Sequence, residues 1–226
     1  MKKLALFAAT AAALAAFPAQ AAQVFPGDGI GGPGATIDLF DGMTRGTLLA
    51  YSETTGTALT FAATFRSAVY RNTGGTLDFY YQVVRNGPGS TGSNAIQSFT
   101  AANFDGFDTF AFRDGSDFDG AGGFSAAGNP GTFTSTANRS FSGDVVGVNF
   151  GSNNLQDTEN STTYIFRTSA FSFTSGTFGV IDGSTLQGPT FAPTVPEPAT
   201  WAMMLGGFAL AGIATRRSRR PRQALA

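Results

Sequence analysis

The 226-residue chain contains neither cysteine nor histidine. Without cysteine it can form no disulfide, thiolate zinc site, iron–sulfur cluster or thiol nucleophile. Without histidine it has no imidazole metal ligand and no Ser-His-Asp or Cys-His catalytic group. The side-chain chemistry open to it is that of carboxylates, hydroxyls and a few arginines.

Lysine and tryptophan are missing from the long middle of the chain, residues 22–195. This stretch holds seven arginines against fourteen aspartates and glutamates, which gives a net charge of −7. An acidic, lysine-free domain is not expected to bind nucleic acid or anionic lipid. Leu, Ile, Val and Phe make up about 23% of the chain, just above the ~20% below which a core cannot be built. We therefore expect a folded domain.

The first 21 residues have the three parts of a secretory signal peptide. Lys2 and Lys3 precede an apolar run over residues 4–17, and the small residues Ala19 and Ala21 close the stretch. We expect export through the secretory translocon and cleavage by signal peptidase after Ala21.

The C-terminus predicts a single transmembrane helix. Residues 201–214 carry no charge. As a helix, residues 199–215 would span roughly 25 Å, which is short for a hydrocarbon core of ~30 Å and would be completed by Trp201 and snorkelling arginines. The positive-inside rule would hold the arginine cluster in the cytoplasm as a stop. That cluster consists of Arg216, Arg217, Arg219, Arg220 and Arg222.

The middle of the chain predicts an all-β fold. In residues 77–83, Leu77, Phe79 and Tyr81 alternate with polar positions, which is typical of a half-buried strand. About nine short strands between Gly-rich turns favour an antiparallel β-sandwich of jelly-roll or immunoglobulin-like type. The clearest strands are 61–69, 77–83, 146–150 and 164–168, and weaker ones are 47–51, 96–101, 109–113, 132–136 and 177–181.

The domain organisation follows from these patterns. Residues 1–21 are expected to be the signal peptide and residues 22–184 the β-sandwich cargo domain. Residues 185–195 contain Gly188, Pro189 and Pro193 and are interpreted as a tether. Residues 196–222 then hold the membrane segment and its flanks.

A proline motif stands immediately before the apolar segment. Pro196-Glu197-Pro198 is followed by Trp201 and Ala202. The two prolines fix their own φ and bias the preceding residues to extended conformations, which keeps the tripeptide outside the helix and readable by an enzyme. The order of tripeptide, Trp-Ala, apolar span, arginine cluster and chain end resembles the PEP-CTERM sorting signal in its PEPxxWA variant.

This resemblance implies a route and a location. Such proteins are exported by the secretory system, held by the C-terminal helix, and processed near the tripeptide by an exosortase, a membrane-embedded transpeptidase-like enzyme. They occur in Gram-negative bacteria that make exopolysaccharide and biofilm, so the expected destination is the cell surface or extracellular matrix. A looser resemblance to β-rich PEP-CTERM cargo domains, which have no established activity, lies in residues 138–140, 143–150, 181–183 and 191–193.

One acidic stretch is a candidate calcium site. Asp114, Asp117 and Asp119 lie in the Gly-containing residues 105–120 and could supply three oxygen ligands to Ca²⁺. The spacing matches neither the EF-hand nor the Gly-rich calcium repeat. The alternative is a set of solvated loops in which aspartates bind their own backbone. No other cofactor is expected.

Tyr80 is a candidate sugar-binding residue, because it lies on the opposite strand face from Tyr81 and is expected to be exposed. A polysaccharide hydrolase would need two carboxylates flanking the bond, and nothing in the sequence marks such a pair. We therefore expect a non-enzymatic surface or matrix structural protein. A carbohydrate-binding module for exopolysaccharide and a hydrolase are the alternatives.

Overall fold

The computed structural model describes residues 22–40, 45–114 and 123–194. Within these residues the chain is all-β, with the 3-10 helix Pro130–Thr134 as a short addition. The strands, in chain order, are β1 (Ala35–Thr36), β2 (Asp38–Leu39), β3 (Thr47–Thr57), β4 (Ala62–Arg71), β5 (Leu77–Gly87), β6 (Ser98–Ala101), β7 (Thr109–Arg113), β8 (Thr136–Arg139), β9 (Val146–Asn149), β10 (Tyr164–Thr168), β11 (Ser172–Ile181) and β12 (Thr185–Thr194).

The strands form two six-stranded sheets. Sheet I has the order β2-β7-β10-β5-β4-β3, and sheet II has the order β1-β8-β9-β6-β11-β12. The pairing is antiparallel except between β2 and β7. Sheet I is built around β5, which pairs with β4 on one side and β10 on the other.

The two sheets pack face to face through aromatic rings. Phe65 of sheet I stacks on Phe178 of sheet II, with ring centroids 4.2 Å apart. Phe99 of sheet II contacts Phe65 and Tyr164 of sheet I, at centroid distances of 5.6 Å each. Aromatic side chains bury the largest apolar area per residue. The phenylalanine-rich composition therefore becomes an interdigitated core between the sheets.

Most strand predictions are confirmed. The strands predicted over 109–113 and 164–168 coincide with β7 and β10, and residues 77–83 lie inside β5. The strand predicted over 132–136 is wrong, because Asn129 caps a 3-10 helix there. Its side chain accepts the N–H of Gly131, and Pro130 supplies the φ of a first helical residue.

The tether predicted over residues 185–195 is also wrong as far as residue 194. Residues 185–194 are β12, which pairs with β11 at ten successive positions. Pro189 and Pro193 suggested an irregular segment, but β12 is an edge strand, where a residue without an N–H is tolerated. The folded domain therefore extends ten residues beyond the predicted boundary at 184.

Candidate functional site

The chain leaves the fold at Thr194, the last residue of β12. Thr194 pairs with Ser172 of β11, and the Ser172 hydroxyl donates to the Thr194 carbonyl at 2.7 Å. The backbone is thus held in the sheet up to the residue that precedes Val195 and the Pro-Glu-Pro tripeptide.

The predicted processing residues lie outside the described part of the chain. They are the cleavage residues Ala19 and Ala21, the motif residues Pro196, Glu197, Pro198, Trp201 and Ala202, and the arginines Arg216, Arg217, Arg219, Arg220 and Arg222. In the residues that the structure does describe, no helix has the length and apolar character needed to cross a membrane. What the fold shows about the C-terminal residues is therefore the position of Thr194, the last residue of the described domain before them.

Five loops lie at the same end of the two sheets as Thr194. We call this end the exit end. It comprises Thr194 and the loops 24–30, 72–76, 103–108, 140–145 and 169–171. The strand registers put these loops together, because β4, β6, β7, β8, β9, β10 and β11 all begin or end beside them. The Asp108 carbonyl accepts the N–H of Ser169 at 3.2 Å, which joins the loop between β6 and β7 to the loop between β10 and β11.

Arg139 ties the exit-end loops together. This side chain is 3% exposed at the end of β8. Its Nε donates to the Gly143 carbonyl at 2.8 Å and its Nη1 to the Val24 carbonyl at 3.1 Å. Its Nη2 donates to the carbonyls of Phe104 and Phe107, at 2.7 and 2.9 Å. The rigid guanidinium fork thereby satisfies carbonyls from three loops at once.

Burial lowers the pKa of the Arg139 guanidinium, while Asp105 and Asp108 act in the opposite direction. Arginine stays protonated throughout the accessible pH range. The tripeptide Asn138-Arg139-Ser140 is visible in the sequence. The role of Arg139 as a clamp is not, because it depends on loops that are far apart in the chain.

Asp144 binds the start of the loop 103–108 at the exit end. Its carboxylate accepts the N–H of Asn103 at 3.1 Å, and Asn103 has a left-handed φ of 74°. A shallow, open pocket of about 240 Å³ lies beside it, and Pro193 and Thr194 form one wall. The other lining residues are Asn103, Asp105, Phe107 and Asp144.

Three phenylalanine rings are exposed at the exit end. Phe141 is 75% exposed, Phe171 62% and Phe25 57%. Asp105 and Asp108 are exposed on the neighbouring loop 103–108. Arg71 is exposed at the start of the loop 72–76 and is the opposing charge. The exit end is therefore apolar, with two exposed aspartates against one exposed arginine.

Tyr80 is not exposed, and the prediction that its ring faces solvent is wrong. Every residue from Leu77 to Val83 is 0% exposed, so β5 is buried on both faces. The outer face of sheet I is covered by a second cluster in which Tyr80 contacts Phe40, Tyr70 and Phe124. A buried ring offers no face on which a sugar can stack.

The acidic stretch is only partly described. Asp114 is 8% exposed, and its carboxylate binds Arg45 at 2.9 Å. Asp117 and Asp119 lie outside the described residues. In the described ranges, no three Asp or Glu side chains are grouped so that they could hold a metal ion.

The comparisons with known proteins bear on the segment that follows β12. The family model of the PEP-CTERM protein-sorting motif matches residues 194–220. The comparisons with curated proteins and with solved structures gave no match. The matched segment begins at the residue where β12 ends, and the motif implies an exported protein that an exosortase sorts. The chain is therefore identified by its C-terminus as one that carries the PEP-CTERM sorting motif.

Proposed function

We propose that this chain is a membrane-anchored precursor whose cargo, a β-sandwich, is delivered by an exosortase to the cell surface or extracellular matrix as a non-enzymatic structural protein. The observation that carries the proposal is the junction at Thr194, where the last strand ends and the sorting motif begins. The motif is fused directly to a folded domain, as delivery of that domain requires.

The anchor is argued from the sequence after the tripeptide. Residues 201–214 are uncharged, and five arginines follow them. An arginine at the centre of a membrane helix costs ~2.5–3.5 kcal/mol on insertion scales, so a cluster opposes slippage into the bilayer. The anchored stage keeps the tripeptide near the membrane-embedded exosortase, and the signal peptide at residues 1–21 supplies the export step.

The non-enzymatic role is supported by the partners of the buried carboxylates. Asp78 binds Arg167 at 2.8 and 2.9 Å and also accepts from Asn72 at 2.8 Å. Asp182 accepts the Thr60 hydroxyl and holds the hairpin between β11 and β12. Asp114 binds Arg45. Each of these carboxylates has a structural partner, which leaves none of them placed as a free acid or base.

The alternatives lose support for specific reasons. A carbohydrate-binding role has lost Tyr80 as its candidate ring, because that ring is buried. A calcium role would place the cation beside an Asp114 carboxylate whose Oδ2 already accepts from Arg45 at 2.9 Å. We propose that the domain acts without a cofactor, and the melting temperature with and without Ca²⁺ tests this: a rise that Asp117→Ala abolishes would establish calcium binding instead.

The test of the sorting route compares proline substitutions on either side of the strand end. Replacing Pro196, Glu197 and Pro198 by alanine should leave membrane insertion intact and block processing in an exosortase-bearing host. Pro193→Ala is the matched control, because it changes a proline just outside the matched segment and should be processed normally. Removing the five arginines should instead loosen membrane retention or scramble orientation.

Cell fractionation and the intact mass of the mature form measure all three variants. The expected wild-type product lacks the arginine cluster. A mature wild-type protein that keeps the cluster, or a tripeptide variant processed like Pro193→Ala, contradicts the proposal.

A further inference from the structure

The exposed rings at the exit end are unusual within this molecule. Phe141, Phe171, Leu59 and Phe25 are the four most exposed large apolar side chains among the described residues. Three of them lie at the exit end, and Leu59 lies at the opposite end, in the turn between β3 and β4. Single exposed apolar residues need no explanation, but a concentration at one end of a fold marks an interaction surface.

The Phe141 ring lies against the loop that carries Phe25, and Phe171 adjoins the chain exit. A Cβ atom on Gly27 would come within 3.2 Å of the Phe141 ring, so this ring lies against the backbone that follows Phe25. Phe171 directly precedes Ser172, the partner of Thr194. The Arg139 bonds to the Val24 and Gly143 carbonyls hold the loops that carry Phe25 and Phe141 in fixed positions.

The chain length after Thr194 limits where this surface can be. Residues 195–200 separate β12 from the uncharged run at 201–214. Fully extended, six residues reach roughly 20 Å. The opposite end of sheet I is farther from Thr194 than this reach, because β5, with 11 residues, is about 36 Å long at ~3.3 Å per residue. If the run at 201–214 is the membrane anchor, as the proposed function holds, the exit end lies within roughly 20 Å of the lipid headgroups.

We propose that the exit end docks on the lipid surface of the membrane in the precursor, through Phe25, Phe141 and Phe171. Phenylalanine side chains bind the boundary between headgroups and acyl chains in proportion to the apolar area they bury. The anchor makes this contact intramolecular, with an effective concentration in the millimolar range for a short linker, so three rings suffice.

The charge of the exit end selects the lipid. Asp105 and Asp108 are exposed beside the rings, and a negatively charged membrane repels them. The surface therefore fits a zwitterionic headgroup layer, and added anionic lipid should weaken the contact. Docking would hold the tripeptide at the depth where a membrane-embedded enzyme works.

The single tryptophan of the chain makes the test direct. Trp201 is the only one among 226 residues, so Trp201→Phe gives a background without tryptophan fluorescence. Phe171→Trp and Phe141→Trp in this background report on the exit end, and each places a larger aromatic ring at an already exposed position. Leu59→Trp, at 59% exposure, is the matched control at the opposite end.

The full chain of each variant is reconstituted in phosphatidylcholine vesicles, and its emission and iodide quenching are measured. The exit-end tryptophans should show a blue-shifted emission, a several-fold lower iodide quenching constant than Trp at 59, and quenching by lipids brominated near the headgroup. Adding phosphatidylglycerol should reverse part of the shift. Identical quenching at 59, 141 and 171 overturns the docking proposal.

Flotation of the vesicles separates this proposal from the one on which it rests. A chain that floats with the vesicles but keeps iodide-accessible tryptophans at 141 and 171 leaves the anchor standing and overturns docking. A chain that does not float overturns both. A blue shift that grows with the protein-to-lipid ratio identifies a second copy of the chain as the occupant, which also overturns lipid docking.

Discussion

The hydroxyls of the adjacent residues Tyr80 and Tyr81 have different partners. Tyr81 points into the space between the sheets, and its hydroxyl donates to the Phe191 carbonyl of β12 at 2.6 Å. Tyr80 points to the outer face of sheet I, and its buried hydroxyl has no hydrogen-bond partner among the described residues. A buried polar group without a partner carries its full desolvation cost.

The same substitution at the two positions should therefore have different effects. Tyr81→Phe should lower the free energy of unfolding by about 0.5–1.5 kcal/mol, because the hydrogen bond to the carbonyl of the half-buried Phe191 is lost. Tyr80→Phe should leave it unchanged or raise it slightly, since it removes an unsatisfied hydroxyl. Urea unfolding of the two variants measures the difference, and equal losses would show that the Tyr80 hydroxyl has a partner.

Arg139 gives a second prediction for a single residue. Arg139→Lys keeps the charge but loses the planar fork, so at least two of its charge-assisted bonds are lost, at about 1.5–3 kcal/mol each. The free energy of unfolding should fall by at least about 3 kcal/mol. Arg71→Lys is the matched control, because its exposed guanidinium makes a 3.4 Å bond to the Gly75 carbonyl, and it should change stability by less than about 0.5 kcal/mol. Similar effects of the two variants in urea would contradict the role of Arg139 as a clamp.

Among the elements, β12 decides where the folded domain ends. It supplies the acceptor of the Tyr81 hydroxyl, and its buried Ala192 and half-buried Leu186 and Phe191 pack on the core. A chain that ends at 184 would expose β11 as a new edge and strip the core of this cover.

We expect a chain of residues 22–194 to fold and a chain of residues 22–184 to lose its cooperative melting transition. Circular dichroism melting of the two chains tests this, and limited proteolysis gives a second readout. If the shorter chain melts at the same temperature, β12 contributes little to stability, and the earlier boundary at 184 would be the better description of the domain.

The elements also show what the sequence could predict. β5 was predictable because apolar and polar residues alternate over residues 77–83 between clear turn signals. β12 was not, because Gly188, Pro189 and Pro193 are typical of linkers, and only its place at a sheet edge makes the prolines compatible with a strand. Tyr80 was misplaced because alternation defines two faces, while covering of the outer face depends on Phe40 and Phe124 from distant loops.

The candidate site likewise has one part that the sequence could predict and one part that it could not. The sorting motif is a contiguous signal, so Pro196, Glu197 and Pro198 identify it without a structure. The exit end is assembled from five loops, and its rings at 25, 141 and 171 are separated by up to 146 positions in the chain. Only the strand registers bring these residues to the end of the fold at which Thr194 lies.

At the scale of the whole molecule, the missing residue types limit how stability depends on pH. The described residues contain no histidine, cysteine or lysine. Histidine is the side chain whose ordinary pKa places its charge change between pH 5 and pH 8, and cysteine follows at slightly higher pH. The described residues therefore lack the side chains that ordinarily change charge between about pH 6 and pH 9. Stability should therefore be nearly constant over that range.

Above pH 10 the tyrosines decide the outcome. Burial is the largest cause that raises the pKa of Tyr80, Tyr81 and Tyr164 well above the ordinary value, and burial together with Glu53 raises the pKa of Tyr51 to about 12. Since the unfolded chain releases these protons near pH 10 and the folded chain does not, their contribution to stability is complete below pH 10 and is lost as the pH rises above it. We expect a cooperative alkaline transition in which phenolate absorbance at 295 nm and loss of β-sheet circular dichroism coincide. A gradual rise of phenolate absorbance for all five tyrosines near pH 10, with the circular dichroism unchanged, would contradict this. The rings at 81 and 164 in the core between the sheets, and the ring at 80 in the outer cluster, would then be open to solvent.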